Sequence, residues 1–302
     1  MSHNADKTAL VYFVFNRPEC VQNILPLHIK YSKDYNIDLI VVCDGPKTES
    51  DRYLQKELNS FLNTYHVHVK RIILNGINLG LKKNIQTNLD KLSKEYNQLL
   101  VFEEDVFPTR QSYEFILRML KIYALNDQIL SINSYSPVNL LGSIKYFKHP
   151  VPHSWGWATW SDRWISYRSQ NFDINLSRLP RGFDLFGAFP YRKMLRESID
   201  GTISSWAIMF YYYSFTHGKS SITPTKTLIK NVGFGKTATH TKSRSLNLYN
   251  EKSKINENLP LNEPLKIAKK NRVLFAYLWM IIKNKLINFA YIIFKRFRKI
   301  LS

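Results

Sequence analysis

Apolar and polar positions follow two regimes along the first 135 residues. One consists of short runs that are apolar throughout and rich in β-branched and aromatic residues, which read as strands buried on both faces. "TALVYFVF" (8–15), "IDLIVVCDG" (37–45), "HVKRIIL" (68–74) and "QLLVFEED" (98–105) are of this kind, and "ILSINSY" (129–135) is a shorter fifth. The other regime places apolar residues at helical spacing beneath a charged outer face. "NRPECVQNIL" begins one such helix, with Asn16 as N-cap and Pro18 in the first turn. "NLGLKKNIQTNLDKLSKEY" (78–96) and "QSYEFILRMLKIYAL" (111–125) are two more. Strands alternating with helices predict an α/β domain built on a mostly parallel sheet flanked by helices.

In such sheets ligands lie beyond the carboxyl ends of the strands. The residues there are Asn16-Arg17, Asp44-Gly45, Asn75-Gly76 and Glu103-Glu104-Asp105, all polar or glycine. Three adjacent acids at the end of a buried strand cost self-repulsion and desolvation, so something positive is expected beside them. A hard divalent cation, Mn²⁺ or Mg²⁺, would take carboxylate oxygens and fill its other positions with water and phosphate. A solvated acidic turn is the plainer reading, and the buried strand in a basic protein favours the cation. Asp44 could accept a hydrogen bond from a nucleobase N–H, or simply belong to a common Asp-Gly turn. Gly80 lets backbone approach a ligand, and Lys82 or Lys83 adds charge at the start of a helix, where anions are favoured. A solvated helix start explains that segment equally well.

From about 140 to 240 the pattern loosens into short aromatic segments. "HSWGWATWSDRW" holds Trp155, Trp157, Trp160 and Trp164. Aromatic rings of that density either stack on sugar faces or build a core, and at least two of the four are expected in the core. Gly156 between two tryptophans points to a close backbone approach. "GFGKTATHT" carries His240, a possible further ligand beside a carboxylate metal site.

Taken together, "VYFVFNRP", "VVCDGPK", "NLGLKKNI", "FEEDVFP", "SWGWATW", "SSWAI" and "VGFGKTATHT" resemble GT-A glycosyltransferases, which have a Rossmann-like fold. The likeness is to bacterial enzymes related to the N-acetylglucosaminyltransferase I group, and it spans roughly residues 8–242. It implies a nucleotide-diphospho-sugar donor and a divalent metal. It also implies that Asp105 binds the metal, that Glu103 and Glu104 face the donor ribose and sugar, and that Asp44 reads the nucleobase. Asn16 and Arg17 would then close over the base, Lys82 would serve the donor, and His240 would stand near the metal. Trp155 and Trp157 would serve the acceptor. Such relatives carry an acid just before the Trp of "SSWAI", where Ser204 and Ser205 stand here. Asp200 is the nearest substitute as general base, with Glu197 behind it.

Charge adds a second theme. The chain has 302 residues and a net charge of +20, and ten Lys and Arg with no acid fall between Pro264 and Ser302. Those 39 residues alternate apolar blocks with basic clusters, the pattern of an amphipathic tail on an anionic membrane, here through residues 272–302. The expected organisation is a catalytic domain over 1–245, with a donor half (8–135) and an acceptor half (136–245), then a linker and tail over 246–302. Cys20 and Cys43 read as buried reduced thiols, and the polar N-terminus shows no secretory signal. No apolar run reaches the length of a bilayer span. The expected place is the cytoplasm, peripherally on the inner face of the cell membrane, with a cell-envelope glycan or lipid-linked glycan as acceptor. A nucleotide-sugar pyrophosphorylase is the rival, weakened because "NRPEC" stands where a Gly-rich phosphate loop would follow the first strand. A nucleic-acid binder ranks third, since its charge would run through the whole fold, and no nucleic acid is expected.

Overall fold

The computed structural model describes residues 7–138, 140, 145–187, 189–233, 266–269, 272, 273, 275–279 and 282. The first four strands are β1 (Thr8–Val14), β2 (Asp38–Cys43), β3 (Arg71–Leu74) and β4 (Gln98–Glu103). Between them run α1 (Pro18–Asp34), α2 (Glu49–Thr64) and α3 (Gly80–Leu92). After β4 come β5 (Val106–Phe107), α4 (Arg110–Ile122) and β6 (Ile129–Asn133). The second half contributes β7 (Tyr146–His149), β8 (Trp157–Trp160), α5 (Ser161–Arg168), α6 (Tyr191–Ile199), α7 (Trp206–Thr216), β9 (Ser220–Pro224) and β10 (Lys230–Asn231).

Eight strands form one sheet in the order β3-β2-β1-β4-β8-β6-β9-β7. Every pairing among β1 to β4 is parallel, as is β6 with β9, while β8 enters antiparallel between β4 and β6. The sheet is covered on both faces, which is why its strands read as unbroken apolar runs. Leu10, Tyr12 and Val14 of β1 pack toward α1, α2 and α4. Ala9, Val11 and Phe13 pack toward α3, α5 and α7.

Some boundaries differ from those expected. Arg17 rather than Asn16 takes the N-cap position of α1, with no side-chain cap bond, and Pro18 opens the helix where its missing N–H costs nothing. Residues His66–His68 form a 3₁₀ turn, so β3 starts later than the alternation in "HVKRIIL" implies. Helix α2, which apolar spacing alone passes over, has its own signal: Thr48 and Asp51 make a reciprocal capping box.

The expected domain boundary near 245 lies outside the described residues. The start of the basic tail is seated on the sheet. Ala268 N–H donates to the Tyr146 carbonyl at 2.7 Å, Ala268 is buried, and the Tyr277 ring stacks on His149 at 5.1 Å. Helical backbone occurs at the described residues from 272 to 282, with Val273, Ala276 and Tyr277 facing inward. The opposite stripe at Phe275, Leu278, Trp279 and Ile282 is exposed, each residue by about half or more of its surface.

Candidate functional site

The parallel strands β1, β2 and β4 deliver their carboxyl ends to one edge of the sheet, and β8 brings its start to the same edge. Val101 pairs with Trp157, which sets Gly156 beside Phe102. Gly156 has φ +63°, and a Cβ there would lie 2.8 Å from the Phe102 ring, so the close approach expected of this glycine is real.

At the end of β4, Glu103, Glu104 and Asp105 meet a cation from their own chain. Arg17 Nη1 donates to Asp105 Oδ2 at 2.7 Å, and its Nε lies 3.5 Å from Glu104 Oε1. Burial lowers the guanidinium's pKa, but Asp105 and Glu104 together hold it above its ordinary value. The positive partner that the three acids require is therefore an arginine 88 residues away in sequence.

The acids have different surroundings. Glu104 is buried, and its Oε2 accepts from the backbone N–H of Phe15 at 2.7 Å and of Arg17 at 3.4 Å. It braces the loop that leaves β1. Burial pushes its carboxyl up to about 7, against the Phe15 N–H and Arg17, which pull it down. Glu103 is pushed up to about 8, by burial first and then by Asp105 and Glu104. Asp105 keeps about a fifth of its side chain exposed. Its carbonyl accepts from Val232 N–H at 2.8 Å, continuing the short β5–β10 ladder. That ladder brings Gly233 against the carboxylate so closely that a Cβ would stand 2.0 Å from Asp105 Oδ2 and 2.7 Å from Arg17 Nη1. Only glycine fits.

Asp44 has a different task from the one expected. Its carboxylate accepts from Gly45 N–H (3.0 Å), Leu79 N–H (2.9 Å) and Gly80 N–H (2.9 Å), and from the Asn75 and Asn78 amides (3.3 Å each). Five donors exhaust the roughly four lone-pair sites of a carboxylate. Asp44 clamps the 75–80 loop and caps α3, so in this state it has no acceptor left for a nucleobase. The Leu79 and Gly80 N–H groups at the start of α3 are likewise taken by Asp44. Gly45 is required too, because a Cβ would meet the Ile77 carbonyl carbon at 2.2 Å. Lys82 lies half-buried on the first turn of α3, without an ion pair among the described residues.

No family model matches the chain, and no curated protein matches it. Solved structures do. GalNAc-T7 with UDP, GalNAc and Mn²⁺ is similar at 9% identity and TM-score 0.46, over 74% of this chain and 43% of that one. The mannosyltransferase PcManGT from Pyrobaculum calidifontis, in complex with GDP-Man and Mn²⁺, gives 11% identity and TM-score 0.34, over 52% and 45%. Glucosyl-3-phosphoglycerate synthase from Mycobacterium tuberculosis gives 10% and 0.34, over 52% and 58%. The chain thus spans about half the length of these proteins.

The remaining expected site residues divide. Asn16 donates its amide to Asp51 Oδ1 at 2.7 Å, tying the β1 exit loop to the capping box of α2. Trp155 is half-buried and meets Tyr135 edge to face at 4.7 Å. Trp157 is fully buried, stacked on Trp206 at 4.6 Å and packed against Trp164 and Phe210, so it cannot touch an acceptor. Trp160 and Trp164 are buried as well, which leaves Trp155 alone available. Ser205 caps α7, accepting from Ile208 N–H. Asp200, at the end of α6, is exposed, while Glu197 lies 3.7 Å from Lys193 Nζ. His240 lies outside the described residues. Cys43 is buried and Cys20 only half-buried.

Proposed function

We propose that this chain is a metal-dependent GT-A glycosyltransferase. It moves a sugar from a nucleotide-diphospho-sugar to a hydroxyl of a cell-surface glycan or lipid-linked glycan, with inversion. The observation that carries the reading is the carboxylate turn at the carboxyl end of β4, in the middle of the sheet, already holding a cationic group.

Two features fit a divalent ion, Mn²⁺ or Mg²⁺, at this turn. The Arg17 guanidinium stands in for a cation on Asp105, and Gly233 gives the carboxylate a wall without a side chain. Asp105 would hold the ion, with His240 as a further ligand. When bound, it supplies charge to offset the negative charge that collects on the departing diphosphate. Asp200, with Glu197 as the reserve, takes the proton from the acceptor hydroxyl as that oxygen attacks the anomeric carbon and the bond to diphosphate breaks. Trp155 offers a ring face to the acceptor sugar. Calorimetric titration of the full chain with UDP, GDP, CDP, ADP and dTDP tests the donor site. One of them is expected to bind with micromolar Kd in the presence of Mn²⁺, and at least tenfold more weakly in EDTA. Failure of all five to bind would overturn the reading.

The tail supports a place on the cytoplasmic face of the membrane, as a peripheral protein. No helix among the described residues is long and apolar enough to cross a membrane. Yet the residues from 272 to 282 are apolar on both sides: Val273, Ala276 and Tyr277 are seated on β7, while Phe275, Leu278, Trp279 and Ile282 form an outward stripe at i, i+3, i+4 and i+7. A helix apolar all round wants cover on both sides. Beyond it the sequence continues with further apolar blocks and Lys295, Arg296, Arg298 and Lys299, which suit anionic headgroups. Replacing Phe275, Leu278 and Trp279 together with serine should weaken binding to phosphatidylglycerol vesicles at least tenfold in co-sedimentation. The thermal midpoint should stay put, because those side chains are exposed. Wild-type protein that ignores such vesicles at low salt would refute the membrane role.

A further inference from the structure

The Arg17–Asp105 contact raises a question that the proposed metal dependence does not answer: the guanidinium already holds one lone-pair position of Oδ2, and a second cation on that oxygen would meet its positive charge at close range. Asp105 Oδ2 has Arg17 Nη1 at 2.7 Å, and a Cβ on Gly233 would fall 2.0 Å from the same oxygen. A hard cation needs a carboxylate oxygen at about 2.0–2.6 Å. While the guanidinium stays, its charge opposes a second cation on that oxygen.

Only the arginine's side chain can yield. Its backbone N–H faces Glu104 at 3.4 Å, its carbonyl accepts from Val21 N–H at 3.2 Å, and the next residue is the buried Pro18 that opens α1. The chain leading to Gly233 is held by the Val232 N–H bond to the Asp105 carbonyl and by the Asn231–Val106 pairing. The Arg17 side chain as a whole keeps about a sixth of its surface exposed.

We infer that Arg17 is a tethered counter-cation that occupies the cation position on Asp105 in the donor-free protein and must swing off before a divalent metal binds. The inference rests on the metal-dependent reading above. Arg17 is in this account a positioning residue. It keeps the acids apart from one another's charge while no metal is present, and its released fork of N–H donors remains at the mouth of the site, where the donor's anionic diphosphate arrives. The metal's apparent affinity in the absence of donor is divided by the fraction of molecules in which the arginine is away.

The test needs no turnover. Free Mn²⁺ is followed by its aqueous electron paramagnetic resonance signal in titrations of the full chain without donor. Arg17→Gln is expected to bind Mn²⁺ at least tenfold more tightly than wild type. Arg17→Lys, which keeps the charge but loses the fork, should fall between and covers the case in which the glutamine variant fails to fold. Adding Asp105→Asn to Arg17→Gln should abolish the gain, which places the ion on Asp105. Equal affinity in wild type and both variants, or weaker binding in the variants, would overturn the swap while leaving metal binding intact. Failure of every protein to bind Mn²⁺ at millimolar concentration would overturn both the swap and the metal reading.

Discussion

Asp44→Ala is expected to lower the stability of the protein by about 3 kcal/mol, a fall of about 10 °C in thermal midpoint for a domain of this size. The expectation follows from what the carboxylate holds. It accepts from two N–H groups at the start of α3, from its neighbour's N–H and from two asparagine amides, and it is itself buried. Hydrogen bonds to a charged acceptor contribute more than neutral ones, and a lost helix cap alone costs about 1 kcal/mol. Deletion leaves the donors of the 75–80 loop without an acceptor, and nothing nearby replaces it. Asp44→Asn keeps the shape but turns one acceptor into a donor that faces N–H groups, so its loss should be smaller yet still measurable. Thermal unfolding followed by circular dichroism checks both. An alanine variant that melts within about 2 °C of wild type but no longer binds nucleotide would restore Asp44 to the role of reading the base.

The contrast between Asp44 and Arg17 shows where sequence patterns carry information and where they stop. Strands β1, β2 and β4 were legible because a strand buried on both faces must be apolar throughout, and three such runs admit few other readings. That their ends line one edge followed from the parallel topology, so Asp44 and Glu103 to Asp105 were correctly brought to a single place. Their partners were not legible. Arg17 reaches Asp105 across 88 residues, and Leu79 and Gly80 reach Asp44 across 35 and 36, separations that local periodicity does not report. The second half was legible only in part: at least two of the four tryptophans were expected in the core and three are there, but Trp157 was also assigned to the acceptor. In "HSWGWATW" the tryptophans of a buried strand follow the composition of a sugar-binding platform. Only the antiparallel insertion of β8 between β4 and β6, and the stacking of Trp157 on Trp206, separates the two uses. The tail divides between its two readings among the described residues from 272 to 282. The Tyr277 side packs on the sheet and the Trp279 side faces out.

Asp105→Ala is expected to cost the most activity. Of the three acids, Glu104 is occupied by the loop after β1 and burial pushes the Glu103 carboxyl up, while Asp105 keeps about a fifth of its side chain exposed, so Asp105 is the acid assigned to the ion. Without it the site loses its anchor for a divalent ion. Stabilisation of a leaving diphosphate by such an ion is a matter of several kcal/mol, and about 4 kcal/mol corresponds to roughly a thousandfold in rate. Arg17 loses a partner in the variant but keeps Glu104 nearby, so the fold should persist with a thermal midpoint within a few degrees of wild type.

The measurement that bears most directly on the account is release of nucleoside diphosphate from a panel of nucleotide sugars, by wild type and Asp105→Ala, with Mn²⁺ and with excess EDTA. The account predicts that wild type consumes at least one of these donors, that EDTA silences it, and that the folded variant is slower by about a thousandfold or more. A folded wild type that consumes none of them, or a variant that matches it, would contradict the account.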